Sequence, residues 1–380
     1  MQLTTIKNGV EKIKSDRELT DRIMALGRLS FEIGNYRSPS EARSLLFRMT
    51  RNCPWNRCGF CGTYRGGKFQ VRPVGELKSD IDNMKAIDSV VLAVSHALGF
   101  EGRVNELLLN VIHSINPLYY VNESYRMVAN WRLFEQMTGF LQDADSMMMK
   151  PGDFVEAVRY LRESMPAMTR LTTYARSQTV YSRRHHLSEI SPWLDRLHIG
   201  LETGDPELLR LIHKVGKRQP DDMQIRAGQH AKAAGFEVSE YYMPGLGGME
   251  KMEDNALHTA QAVNEINPHY VRLRPYTSTG GCPGTPHTLE FEEGRLTDTT
   301  NNGKLEEIKT FAENLDDRFD GRLVFDIQSA RYANSAGGEL FRFSHEGFKF
   351  PEQKEYVLAH LRDGMKASED LHRRIQRSSL

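Results

Sequence analysis

The sequence predicts an α/β protein, a partial (β/α)6 barrel with a helical insertion and a small C-terminal α/β region. Three observations lead there. At 380 residues and 39% hydrophobic, the chain can bury one large α/β core with an appended segment or two modest domains. Six short strand-like runs alternate with helix-like stretches. The polar and glycine-rich motifs fall where the strand runs end, as they do in sheets that bind ligands at the carboxyl ends of their strands.

The first strand is predicted at 44–50, followed by a cysteine loop and a helix marked by Val74, Leu77, Ile81 and Met84 at helical spacing. A short apolar run ending in Phe140 and Leu141 is the second strand. Pro151 and Asp153 then open a helix whose stripe is Phe154, Val155, Val158 and Leu161. The third strand is 171–175. The fourth, 197–202, ends at a Gly-Asp-Pro turn in which Asp205 is the candidate N-cap and Pro206 the first helical residue. The fifth, 238–243, ends at Pro244-Gly245-Leu246-Gly247-Gly248, and a helix over 254–266 leads to the sixth, 270–273. Right-handed crossovers between parallel strands curl such a chain into a TIM-like partial barrel.

Around this rhythm the organisation reads as an N-terminal helical segment over 1–43, the barrel over 44–280 with a mostly helical insertion near 87–135, and a C-terminal region over 281–380. The last contains a helix candidate at 305–315, the strand-like RLVFDI and a charged terminal helix, and is expected to pack beside the barrel.

Fifty Lys plus Arg balance fifty Asp plus Glu, so charge argues against a nucleic-acid partner. No apolar run reaches membrane-spanning length, and the charged N-terminal stretch lacks the apolar core of a signal peptide, which makes the cytoplasm the expected compartment.

Three of the four cysteines lie within nine residues, in TRNCPWNRCGFCGTYRGG. That is a poor disulfide framework and a good metal loop. Cys53, Cys58 and Cys61 can hold three irons of a cubane cluster and leave the fourth iron open to another ligand. A closed zinc site would need a fourth donor, such as Cys282 or a distant histidine, and three buried thiols without metal are the other alternative. Phe60, just before the last cysteine, and Tyr64 after it are placed to shield a cluster or stack on a base.

On these residues the chain resembles the radical S-adenosylmethionine (radical SAM) superfamily. Its usual signature has three residues between the first two cysteines, two between the last two, and an aromatic before the third. Here the second spacing and Phe60 are kept, but Pro54, Trp55, Asn56 and Arg57 make a first interval of four. The resemblance covers about residues 44–276. Through LHIGLETGDPELLRLIHK and YYMPGLGG it looks closest to the branch of the Elongator catalytic subunit, the methylthiotransferases and the coproporphyrinogen dehydrogenases.

The resemblance implies a 4Fe-4S cluster on the three cysteines and S-adenosylmethionine chelated to its open iron. Reductive cleavage would give methionine and a 5′-deoxyadenosyl radical that takes hydrogen from a small-molecule or peptide substrate. The electron would come from a donor such as flavodoxin or ferredoxin. Gln142 and Asp143 stand where relatives place a turn gripping the methionine amino group, although an acidic turn also suits helix capping. Arg176, followed by Ser177, is expected to meet S-adenosylmethionine or substrate. Glu202 corresponds to a polar residue near the ribose or amino group, and Lys214 to a basic residue against the methionine carboxylate, or else to a lysine complementing a helix dipole. Arg272 and Arg274 either recognise an anionic substrate or balance Glu202 or Glu240. Cys282 is expected to be inert packing. The competing class is a non-catalytic iron–sulfur or cofactor carrier of the same fold.

Overall fold

The computed structural model describes residues 2–216, 219–278 and 284–377; Cys282 lies outside them. Two compact units are present, one made of 1–51, 70–173 and 192–195, the other of 52–69, 174–191 and 196–380.

In the first unit, β1 (Leu45–Arg48) continues into β2 (Thr50–Arg51), which forms an antiparallel ribbon with β3 (Gln70–Val71). Strand β4 (Thr138–Gln142) pairs in parallel with β1, Leu45 opposite Gly139, and also with β5 (Arg170–Ala175), Leu141 opposite Thr173. Every residue of β4 and the first three of β1 are buried, as expected for parallel strands covered on both faces. The cover on this unit includes helix Val74–Ala97, which buries Leu77, Ile81, Met84, Ile87 and Val91 along one stripe. This helix runs ten residues beyond 87, so the insertion begins inside it and not after it. The insertion proper holds helices Glu106–Ile115 and Glu123–Leu133, whose Asn105 and Asn122 side chains accept from the Leu108 and Tyr125 amides as N-caps. Buried Tyr119 ties this layer to helix Arg17–Leu26 by donating to the Ile23 carbonyl at 2.8 Å.

In the second unit, β6 (Arg196–Glu202), β7 (Glu237–Tyr242), β8 (Tyr270–Leu273) and β9 (Arg322–Phe325) run parallel, and β10 (Phe348–Lys349) closes the edge antiparallel to β9. The RLVFDI segment therefore does not pack beside the sheet. It extends it, with Arg272 opposite Val324. The reason is in the core, where Leu201, Tyr242, Val271 and Leu273 share one cluster with Ile308, Phe311, Leu323, Phe325, Leu358 and Leu361. Asp205 caps helix Pro206–Leu211 by accepting from the Glu207 amide at 2.9 Å, and Pro206 takes the first helical position. The arrangement is α/β, with parallel strands alternating with helices; β1 and β10 each have a single strand partner among the described residues. No described helix is long and apolar enough to cross a membrane.

Candidate functional site

The cysteine loop belongs to the second unit and is fastened there at its middle. The Gly59 amide donates to the Ile212 carbonyl at 2.6 Å, and the Gly59 carbonyl accepts from the His287 amide at 3.1 Å. A Cβ at Gly59 would meet both segments at 3.4 Å, which is ordinary van der Waals contact, so the two backbone hydrogen bonds and not the lack of a side chain fasten the loop here. Asn52 and Asn56 take left-handed conformations, φ 65° and 48°, in which asparagine is tolerated better than most residues. From there Asn56 donates its side-chain amide to the Tyr64 carbonyl at 2.5 Å, and Arg65 reaches back to the Cys61 and Cys58 carbonyls at 3.2 and 3.4 Å.

The three cysteines of this loop are partly buried thiols outside any disulfide. No three His, Cys, Asp or Glu side chains among the described residues converge to cage a single metal ion. A cubane asks for something else, since each thiolate binds its own iron and the cluster body keeps the sulfurs apart. Burial pushes the Cys58 thiol up to about 11, while nearby Lys214 and Arg176 pull it back toward the thiolate. The donor set thus fits a group that supplies positive charge of its own. Phe60 packs against the apolar cluster of Leu208, Ile212, Met243, Leu246 and Tyr276.

The strand-end residues of this unit gather beside the loop. Glu202 ends β6 with φ 65°, after a register shift between Ile199 and Glu202, and its carboxylate meets the Lys214 ammonium at 2.8 Å. Lys214 is 6% exposed. Burial works against its charge, but Glu202 and Cys58 outweigh it and hold the pKa above the ordinary lysine value. The lysine therefore answers a carboxylate within the site rather than only a helix dipole. Arg176 donates weakly to the Lys214 carbonyl at 3.4 Å and lies 4.8 Å over the Trp55 ring. Its Nε and the hydroxyl of Ser177, which is 1% exposed, are buried without a hydrogen-bond partner. Buried donors of this kind are satisfied by a bound water, ion or ligand.

Gln142 and Asp143 are in the first unit, and their side chains are engaged there. The Gln142 amide donates to the Gly34 and Tyr36 carbonyls at 2.9 and 2.7 Å and accepts from the Gly34 amide at 2.8 Å. Asp143 accepts from Arg48 Nε and Nη2 at 2.9 and 2.6 Å. Arg272 donates to Ser239 at 3.0 Å and lies 5.1 Å over Tyr270. It shares the strand face of Ser239 and not that of Glu240, which points under helix Met223–Ala233 toward Gly228. The same face as Ser239 carries Tyr174, His198 and Tyr241, whose rings stand 5.9–6.1 Å from one another. Sequence reasoning missed Trp55, since an aromatic inside a cysteine interval carries no periodic signal; only the extra residue marked the place.

No family model matches the chain, and no curated protein matches it. Among solved structures, it is similar to methylornithine synthase (PylB), at 12% identity and a TM-score of 0.39 over 94% of this chain and 80% of that one. It is similar to coproporphyrinogen III oxidase (HemN) from Escherichia coli, a radical SAM enzyme, at 14% identity and a TM-score of 0.38, covering 70% of this chain and 57% of that one. A third likeness is to OxsB, a cobalamin-dependent S-adenosylmethionine radical enzyme, at 15% identity and a TM-score of 0.37, covering 66% of this chain and 30% of that one.

Proposed function

We propose that the protein is a radical SAM enzyme that carries a 4Fe-4S cluster on Cys53, Cys58 and Cys61. The observation that carries this reading is the second unit's own grouping: three free thiols on an anchored loop, with a part-buried Glu202–Lys214 pair and Arg176 acting electrostatically on Cys58. When bound, the cluster and S-adenosylmethionine supply one-electron cleavage of the sulfonium and the hydrogen-abstracting 5′-deoxyadenosyl radical. The chain supplies binding and orientation. Lys214 and Arg176 offer cationic donors to a carboxylate, Glu202 an acceptor for an ammonium or ribose hydroxyl, Ser177 a further donor, and Phe60 an apolar wall. Burial of Lys214 strengthens these contacts by excluding water. The substrate is a small molecule or peptide, and the electron comes from a donor of the flavodoxin or ferredoxin kind.

Anaerobic reconstitution with iron and sulfide tests the reading. It predicts about four irons per chain and 5′-deoxyadenosine on reduction with S-adenosylmethionine present. Zinc in place of iron would contradict it. A full cluster that yields no 5′-deoxyadenosine would favour the non-catalytic carrier.

A further inference from the structure

The unusual first cysteine interval has a structural use. Pro54, Trp55, Asn56 and Arg57 form a strap between Cys53 and Cys58. The left-handed turn at Asn56, whose amide approaches the Cys53 sulfur at 3.4 Å, swings Trp55 onto the segment after helix Pro206–Leu211. There the indole N–H donates to the His213 carbonyl at 2.7 Å. The next carbonyl, that of Lys214, accepts from Arg176, and the Arg176 guanidinium returns to lie 4.8 Å over the indole. Arg57 sits 5.4 Å from the same ring. Trp55 thus touches both the Lys214 segment, through a hydrogen bond, and Arg176, through its face. An indole suits both contacts, because it joins a directional N–H donor to the aromatic face that attracts a guanidinium most strongly.

We propose that the four-residue interval, through its turn at Asn56, seats Trp55 as a positioning residue, which sets Arg176 and Lys214 at a fixed distance from the cysteine loop and so tunes their grip on the ligand's carboxylate. The proposal rests on the cofactor reading. A shorter interval would lose either the Asn56 turn or the reach to His213, and the two cations would then be placed by the strand ends alone.

The test compares wild type, Trp55→Phe and Trp55→Ala, each reconstituted with iron and sulfide, by equilibrium binding of S-adenosylmethionine. Trp55→Phe keeps the face and loses the donor, so its Kd should rise about 3-fold; Trp55→Ala loses both, so its Kd should rise about 10-fold or more. Iron content should stay at the wild-type level in both. A second measurement needs no cofactor. In apo-protein labelled with 5-fluorotryptophan, the Trp55 resonance, assigned from the Trp55→Phe variant, should move when Arg176→Leu removes the stacked cation. Unchanged Kd in Trp55→Ala, loss of iron in step with loss of binding, or a Trp55 resonance indifferent to Arg176→Leu would each overturn the proposal. Wild-type protein that binds no S-adenosylmethionine would instead sink the cofactor reading, and this proposal with it.

Discussion

A methyl group added at position 200 would land on the Glu202 carboxylate and the Lys214 ammonium. Gly200→Ala should therefore spread the pair, both of whose tips can give way, and weaken S-adenosylmethionine binding about 10-fold with little loss of stability; equilibrium binding and denaturant titration check both. Lys214→Met leaves Glu202 facing the site without its cation. Breaking this part-buried pair should cost about 1–3 kcal/mol, and Lys214→Arg should recover part of that while Met does not, as thermal melts will show. Much at this scale was legible. Three cysteines in one loop raise a metal by number and spacing, with zinc or bare thiols as the alternatives, whereas the roles expected of Phe60, Glu202 and Lys214 come only from the resemblance. The Trp55 contact was not legible, because its partner is a backbone carbonyl 158 residues away and sequence separation gives no hint of that approach.

The turn after β7 is held by an element far along the chain. Glu307, on helix Asn301–Glu313, accepts from the Gly245 amide at 2.7 Å, the Tyr242 hydroxyl at 2.9 Å and the Asn255 amide at 2.7 Å. Burial raises its pKa to about 8 against these donors, from an ordinary 4.5. Between those values the folded chain keeps a proton that the unfolded chain releases. Stability from this group is thus full below about pH 4.5 and declines as pH rises through about 8. The melting temperature of wild type should fall more steeply relative to that of Glu307→Gln between about pH 5 and 8, and equal slopes there would contradict the assignment. Helix and strand existence in this region was readable from apolar spacing, with the helix expected at 305–315 and found at Asn301–Glu313. The clamp was hidden because a glutamate on a helix reads as solvent-facing until its neighbours are known.

Across the chain, alternation of strand and helix was enough to fix the α/β class, since parallel strands need helical crossovers and these leave a periodic trace. What the pattern could not give was the reach of the sheet. RLVFDI looks like any short apolar strand, and its place beside β8 follows from packing of Leu323 and Phe325 with Phe311 and Leu361 in one core. Phe311→Ala should cost about 3–5 kcal/mol, and removing residues 301–380 should leave β7 and β8 without their cover and the product unfolded by circular dichroism. Beneath these tests lies the claim that the three thiols hold an iron–sulfur cluster used on S-adenosylmethionine. The most direct measurement is 5′-deoxyadenosine formed under anaerobic reduction by reconstituted wild type and by Cys58→Ala. The account predicts product from wild type and none above background from the variant; equal product from both, or none from a wild type with a full cluster, would contradict it.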